Sequence, residues 1–171
     1  MIFKGLKERV LKKKLDKLVS LKEETSASTL KKIQSVGILT TDEMSSKIDL
    51  QNTVASILGV KNVKIYSLRD FNKNDEVSYK HFTEKDINWS GNYVQTNIKS
   101  FLDEPLDLLI GYFNNNNMYL ETAVLKSKAD FKVGFSNVNS KLYHVEITSE
   151  INHYKSFIEE LRKYLQILKK L

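Results

Sequence analysis

The residues of this chain best suited to chemistry are the cations at its start. Residues 1–32 carry ten Lys or Arg against four acids, and the remaining 139 residues carry seventeen of each sign, so the whole formal charge of +6 lies in this segment. Clustered Lys and Arg raise the local potential and the association rate for polyanions, whatever fold stands behind them. Lys4, Lys7, Arg9, Lys12, Lys13, Lys14 and Lys17 are therefore the candidate nucleic-acid contacts, with RNA or a ribonucleoprotein as the expected partner. Phe3 is the only aromatic residue of the segment, which argues for contact to phosphates rather than to bases.

A second polar group depends on the fold. Thr41, Asp42, Asp70, Asn115, Ser136 and Asn137 each follow a predicted strand, on the rim where parallel sheets receive ligands. The first strand-to-helix turn runs Ile38-Leu39-Thr40-Thr41-Asp42-Glu43, without the glycines that let backbone approach a pyrophosphate, so nucleotide binding in the usual manner is disfavoured. His81, His144 and His153 stand in no metal-ligand spacing and are expected to pack or to lie on the surface. Glu43, Asp70 and Asp107 flank strands with no visible acid–base partner, and Ser136 follows Phe-Lys-Val-Gly-Phe rather than a nucleophile elbow. No catalytic residue, metal ligand or cofactor is assigned, and an enzyme is the less expected outcome.

The elements that must position these groups follow from periodicity. Residues 3–24 are rich in Leu, Lys and Glu and predict a helix, with Gly5 its weak point. Its apolar positions form two sectors offset by roughly 150°, Ile2, Phe3, Leu6 and Val10 in one and Leu11, Leu15, Leu18 and Val19 in the other, which suits a helix touching two different things. Thr25 to Ser28 reads as a linker. Strands are predicted at 33–39, 62–68, 106–113, 131–135 and 141–148, with a short edge strand at 77–82. One crossover helix is predicted from Thr41 or Asp42 to a stop at Gly59, others from Tyr93 to Leu102 and after Asn117, and a long closing helix at 154–168. The expected fold is α/β: a doubly wound, Rossmann-like, mostly parallel sheet of five or six strands with a basic N-terminal helical arm. The expected division is an arm and linker at 1–32 and a single α/β domain at 33–171.

Composition agrees with a globular chain: 41% hydrophobic, 28% charged and no cysteine, which excludes disulfides, thiolate metal sites and Cys nucleophiles. No stretch reaches the roughly 18–20 apolar residues of a membrane span, and Lys12 to Lys14 interrupt any leader-like segment, so a cytoplasmic protein is expected.

Several patterns resemble a family of uncharacterised proteins known only as a domain of unknown function, mostly from Bacteroidota. They are Ser35-Val36-Gly37-Ile38-Leu39, Phe82-Thr83-Glu84-Lys85-Asp86 with Trp89 and Gly91, and Leu106-Asp107-Leu108-Leu109-Ile110 with Tyr112; residues 127–136 and 160–168 extend the likeness. The resemblance implies a cytoplasmic α/β protein and carries no activity. Asp107 to Phe135 alone also looks like the acceptor-side half of heptosyltransferase-type sugar transferases. Three functions follow as expectations: RNA or ribosome association through the N-terminal helix, a small-molecule or nucleotide-sugar domain, or a subunit docking another protein through that helix.

Overall fold

The computed structural model describes residues 2–22 and 31–171. The linker expected at Thr25 to Ser28 lies outside the described residues. Strands β1 (Ser35–Thr41), β2 (Asn62–Leu68), β3 (His81–Phe82), β4 (Leu108–Tyr112), β5 (Phe131–Phe135) and β6 (Val145–Ile147) form one sheet in the order β3-β2-β1-β4-β5-β6. Every pairing is parallel. Helices α1 (Ile2–Leu21), α2 (Asp42–Lys47), α3 (Leu50–Leu58), α4 (Thr96–Asp103), α5 (Met118–Lys126) and α6 (Tyr154–Ile167) cover it. The result is the doubly wound α/β architecture that the strand–helix alternation predicts, and the order reverses between β1 and β4.

The central strands are apolar because both of their faces are covered. On one face α3 and α6 touch each other, and Phe157 of α6 stacks on Phe135 at 4.5 Å and meets Tyr112 edge-on at 5.3 Å. The opposite face carries α4 and α5, where Tyr66 meets Phe101 at 5.2 Å. On that face Leu39, Gly111, Gly134 and Glu146 are register neighbours across four strands. The Tyr143 ring lies directly over the two glycines, where a Cβ on either would collide with it. The glycines make the trough that this ring fills.

One buried carboxylate fastens the two middle strands at their N-terminal ends. Asp107 Oδ2 accepts from Gln34 N and Ser35 N, both at 2.9 Å, and from Ser35 Oγ at 3.0 Å, while the same Oγ accepts from Asp107 N. The Lys31 ammonium closes the cluster at 2.6 Å from Oδ1. Burial pushes this carboxyl up, but Lys31 and the donors of Gln34 and Ser35 outweigh it and hold it below the usual Asp range.

Where the structure differs from the sequence reading, a local competitor explains it. The single crossover helix expected from 41 to 58 is broken: α2 ends at Lys47, and the Asp49 side chain accepts from Asn52 N to start α3. Gly59 ends α3 as expected, in the left-handed region at φ 70°. The edge strand expected at 77–82 shrinks to two residues because β2 offers it only Ser67 and Leu68. The strand expected at 141–148 divides into a 3-10 turn at Ser140–Leu142 and the short β6.

Helix α1 lies against α5 rather than apart from the body. Leu11, Leu15 and Val19 are buried in the common core, and the Glu8 carboxylate accepts from the Tyr119 hydroxyl at 3.1 Å. Truncating Leu15 to Ala is therefore expected to cost about 2–5 kcal/mol in urea denaturation, as for other core leucines; a change under about 0.5 kcal/mol would show that α1 is dispensable. For Asp107→Asn the expected loss at pH 7 is about 2–3 kcal/mol, from backbone donors left short of a full acceptor. A carboxyl held below its unfolded pKa stabilises fully at neutral pH, and the gain fades as pH falls through the carboxylate range. The gap between wild type and Asp107→Asn should hold down to about pH 5 and narrow below about pH 4; a gap that ignores pH would refute the clamp.

Candidate functional site

With Leu11, Leu15 and Val19 turned inward at intervals of four, the opposite side of α1 is set by helix geometry. Arg9, Lys13 and Lys17 repeat at the same interval on that outer side, in steps of about 6 Å along the axis. All three are exposed, and Lys12, also exposed, flanks them near the Glu121 carboxyl. The other candidate cations face the body. Lys7 Nζ donates to the Glu84 carbonyl and Lys14 Nζ to the Trp89 carbonyl, each at 3.0 Å, and Lys4 lies 3.8 Å from the Glu84 carboxylate. Lys22 caps the Lys141 carbonyl at 2.9 Å. Burial lowers the pKa of Lys7 and Lys22 from the ordinary Lys value.

The seven candidates thus divide, Lys4, Lys7 and Lys14 holding α1 to the 84–89 loop, Arg9, Lys13 and Lys17 presented outward, and Lys12 exposed at the seam with α5. The loop adds what the helix sequence lacks. Trp89, the sole tryptophan, sits 46% exposed on the carbonyl that Lys14 grips. Two residues on, Gly91 turns the chain in the left-handed region at φ 80°, against Leu11. Sequence reading missed Trp89 as a companion of α1 because 75 residues separate it from Lys14.

The strand rim is dispersed. Thr41 caps α2, its hydroxyl accepting from Met44 N, and Asp70 and Asn115 are exposed on separate loops. The Asn137 side chain donates to the Asn114 carbonyl at 2.7 Å, and the Ser136 hydroxyl meets Thr148 Oγ1 at 2.9 Å. Between β1 and β4, where a doubly wound sheet opens its crevice, the buried Thr40 hydroxyl donates across the gap to the Tyr112 carbonyl at 2.7 Å. Asp42 of the rim borders a cleft of about 500 Å³ between α2 and the ends of β2 and β3.

In that cleft Asp42 meets a histidine. His81 Nε2 is 3.0 Å from Asp42 Oδ1, and His81 Nδ1 is 2.7 Å from Ser78 Oγ, so a serine, a histidine and a carboxylate form one hydrogen-bonded line. At 25% side-chain exposure this histidine stands between the packing and the surface role expected of all three. The other two take one role each: His144 stacks on Phe131 and accepts from Lys132 N at 2.9 Å, and His153 is exposed beside Glu150. Burial also governs two further groups that no pattern signalled. Lys132 Nζ caps the Val124 carbonyl at 2.7 Å with its pKa lowered to about 8, and the Glu121 carboxyl is pushed up.

A model of the family described as "Family of unknown function (DUF6913)" matches residues 7–168. No curated protein and no solved structure matches the chain. Among the described residues, no group of three or more His, Cys, Asp or Glu is arranged to hold a metal ion. No helix there is long and apolar enough to cross a membrane.

Asn117, at the end of the Asn-rich rim loop, has a structural duty: its Oδ1 accepts from Tyr119 N and Leu120 N, both at 3.1 Å. Asn117→Ala is expected to lower stability by about 1–2 kcal/mol in denaturant titration, the worth of an N-cap. Unchanged stability would free the loop for a ligand role.

Proposed function

The chain thus belongs to that family of unknown function, and for this member we propose binding of single-stranded RNA, free or in a ribonucleoprotein, through the outer face of α1. The observation that carries the reading is the row Arg9, Lys13 and Lys17, exposed opposite a buried leucine stripe, with Lys12 beside it. A linear array of fixed cations is what a phosphate backbone can follow, and the protein pays little entropy to present it because the helix is already anchored. Trp89, on the loop that Lys14 grips, offers a half-exposed ring on which a base can stack. The reading includes a cytoplasmic setting and the Bacteroidota resemblance.

Two other occupants remain as outcomes of the test. The exposed Phe3 and Leu6 favour a protein docked on α1. The cleft beside Asp42 favours a small-molecule or nucleotide-sugar domain akin to a heptosyltransferase half.

Four cations at about −0.7 each give an expected slope near −3 for log affinity against log salt with single-stranded RNA. The fluorescence of Trp89 reports the titration directly. Replacing Arg9, Lys13 and Lys17 together by Gln is expected to flatten the slope by about 2 and to weaken all sequences alike. Salt-independent binding, or full affinity in the triple variant, would overturn the reading and leave protein docking as the better account of α1.

A further inference from the structure

The line Ser78–His81–Asp42 is assembled from three separate pieces of chain logic. Asp42 is the first residue of α2, directly after β1; His81 opens β3; Ser78 lies in the loop three residues before it. Parallel pairing of β3 with β2, and of β2 with β1, sets His81 two strands away from Asp42 on the same rim. The contact is therefore made by the sheet and not by the loop alone.

Hydrogen-bond accounting orients the serine. Lys80 N donates to Ser78 Oγ at 3.1 Å, which occupies an oxygen lone pair and leaves the hydroxyl hydrogen for His81 Nδ1 at 2.7 Å. The tautomer that satisfies both ends carries its proton on Nε2 and donates it to Asp42 at 3.0 Å. A carboxylate holding the far nitrogen of an imidazole whose near nitrogen accepts from a serine hydroxyl is the arrangement that activates serine as a nucleophile. The wall of the cleft is mixed: Ile48 and Ile65 line it beside Ser45, Gln51, Ser67, Asp42 and His81, and Lys47 and Lys80 add cations. A lining that is half apolar and half polar, in a cleft of this size, suits a small ester with a short acyl group.

We propose that Ser78, His81 and Asp42 form a nucleophilic site that hydrolyses small carboxylic esters at the His81 side of the cleft between α2 and β3, Ser78 standing beside that cleft and not in its lining. In the first step Ser78 Oγ bonds to the acyl carbon, its proton passes to His81 Nδ1, and the ester C–O bond breaks as that proton moves to the departing alcohol oxygen. In the second step water attacks the acyl carbon, gives a proton to His81 Nδ1, and the Ser78 C–O bond breaks with return of that proton to Oγ. The products are a carboxylic acid and an alcohol, and the enzyme is restored. Asp42 keeps Nδ1 free as base by holding Nε2–H and balances the charge of the imidazolium. This inference is independent of RNA binding, since α1 takes no part in it.

The test uses the full chain and a fluorophosphonate probe, which forms an Oγ–P bond with loss of fluoride. Intact mass and peptide mapping are expected to locate one adduct on Ser78, absent in Ser78→Ala. His81→Gln is expected to slow both labelling and hydrolysis of 4-nitrophenyl acetate by about 10²–10⁴-fold. Should His81→Gln melt without a cooperative transition, Asp42→Asn serves in its place, with a slower rate again expected. No adduct, an adduct elsewhere, or labelling that ignores the histidine and aspartate variants would each overturn the proposal and leave the three residues as a fastening of the 70–80 loop.

Discussion

The sheet depends on one buried carboxylate. Asp107 sits where strand order reverses, so the elements wound in opposite directions from β1 and β4 share a single fixed origin. Parallel strands have no hairpin to set their register, and something other than a turn must do it. Here two main-chain donors of the segment entering β1 converge on the side chain entering β4, and Ser35 returns the favour to Asp107 N. With that end fixed, Val36 faces Leu108 and the pairing runs without a bulge to Thr40 and Tyr112, where the Thr40 hydroxyl closes the other end. That bond joins the two strand ends at the switch point where such folds open their crevice.

The covering layers are equally specific. Phe135, Phe157 and Tyr112 form an aromatic cluster under α6, while the other face gives up side chains altogether at Gly111 and Gly134 to admit Tyr143. The buried hydroxyl of Tyr143 has no hydrogen-bond partner among the described residues, and burial beside Glu121 and Glu146 pushes its pKa up. Packing of the ring on bare backbone compensates that loss in contact area. Outside this layer α1 adds a third stratum, held by Leu11, Leu15 and Val19 and by lysines spent on carbonyl oxygens.

Much of the framework was legible because its signals are local. The bounds of β2 and β5 coincide with the expected ones, and Gly59 and Asn117 act as the stop and cap that their types suggest. Asp49 breaks the expected crossover helix by capping α3, a break that the apolar spacing running across it does not register. What sequence could not give was partnership over distance. Which sector of α1 turns inward is decided by α5 and the 84–91 loop, and the meeting of His81 with Asp42 spans 39 residues. Ser78 and His81 stand three apart, a spacing common in loops, and acquire meaning only when a carboxylate from another strand arrives.

The broken crossover helix has a dynamic consequence. α2 is six residues long, buries none of them, and is held by the Thr41 cap, whereas α3 behind it buries Leu50, Val54 and Leu58. Local stability follows such anchoring, so α2 is the segment whose amide protons exchange with solvent ahead of its neighbour's, by opening alone while the sheet stays folded. It is also the segment that carries Asp42 and one wall of the cleft. The lifetime of the aspartate–histidine contact, and the width of the entrance beside it, are therefore governed by the helix–coil equilibrium of a single short helix.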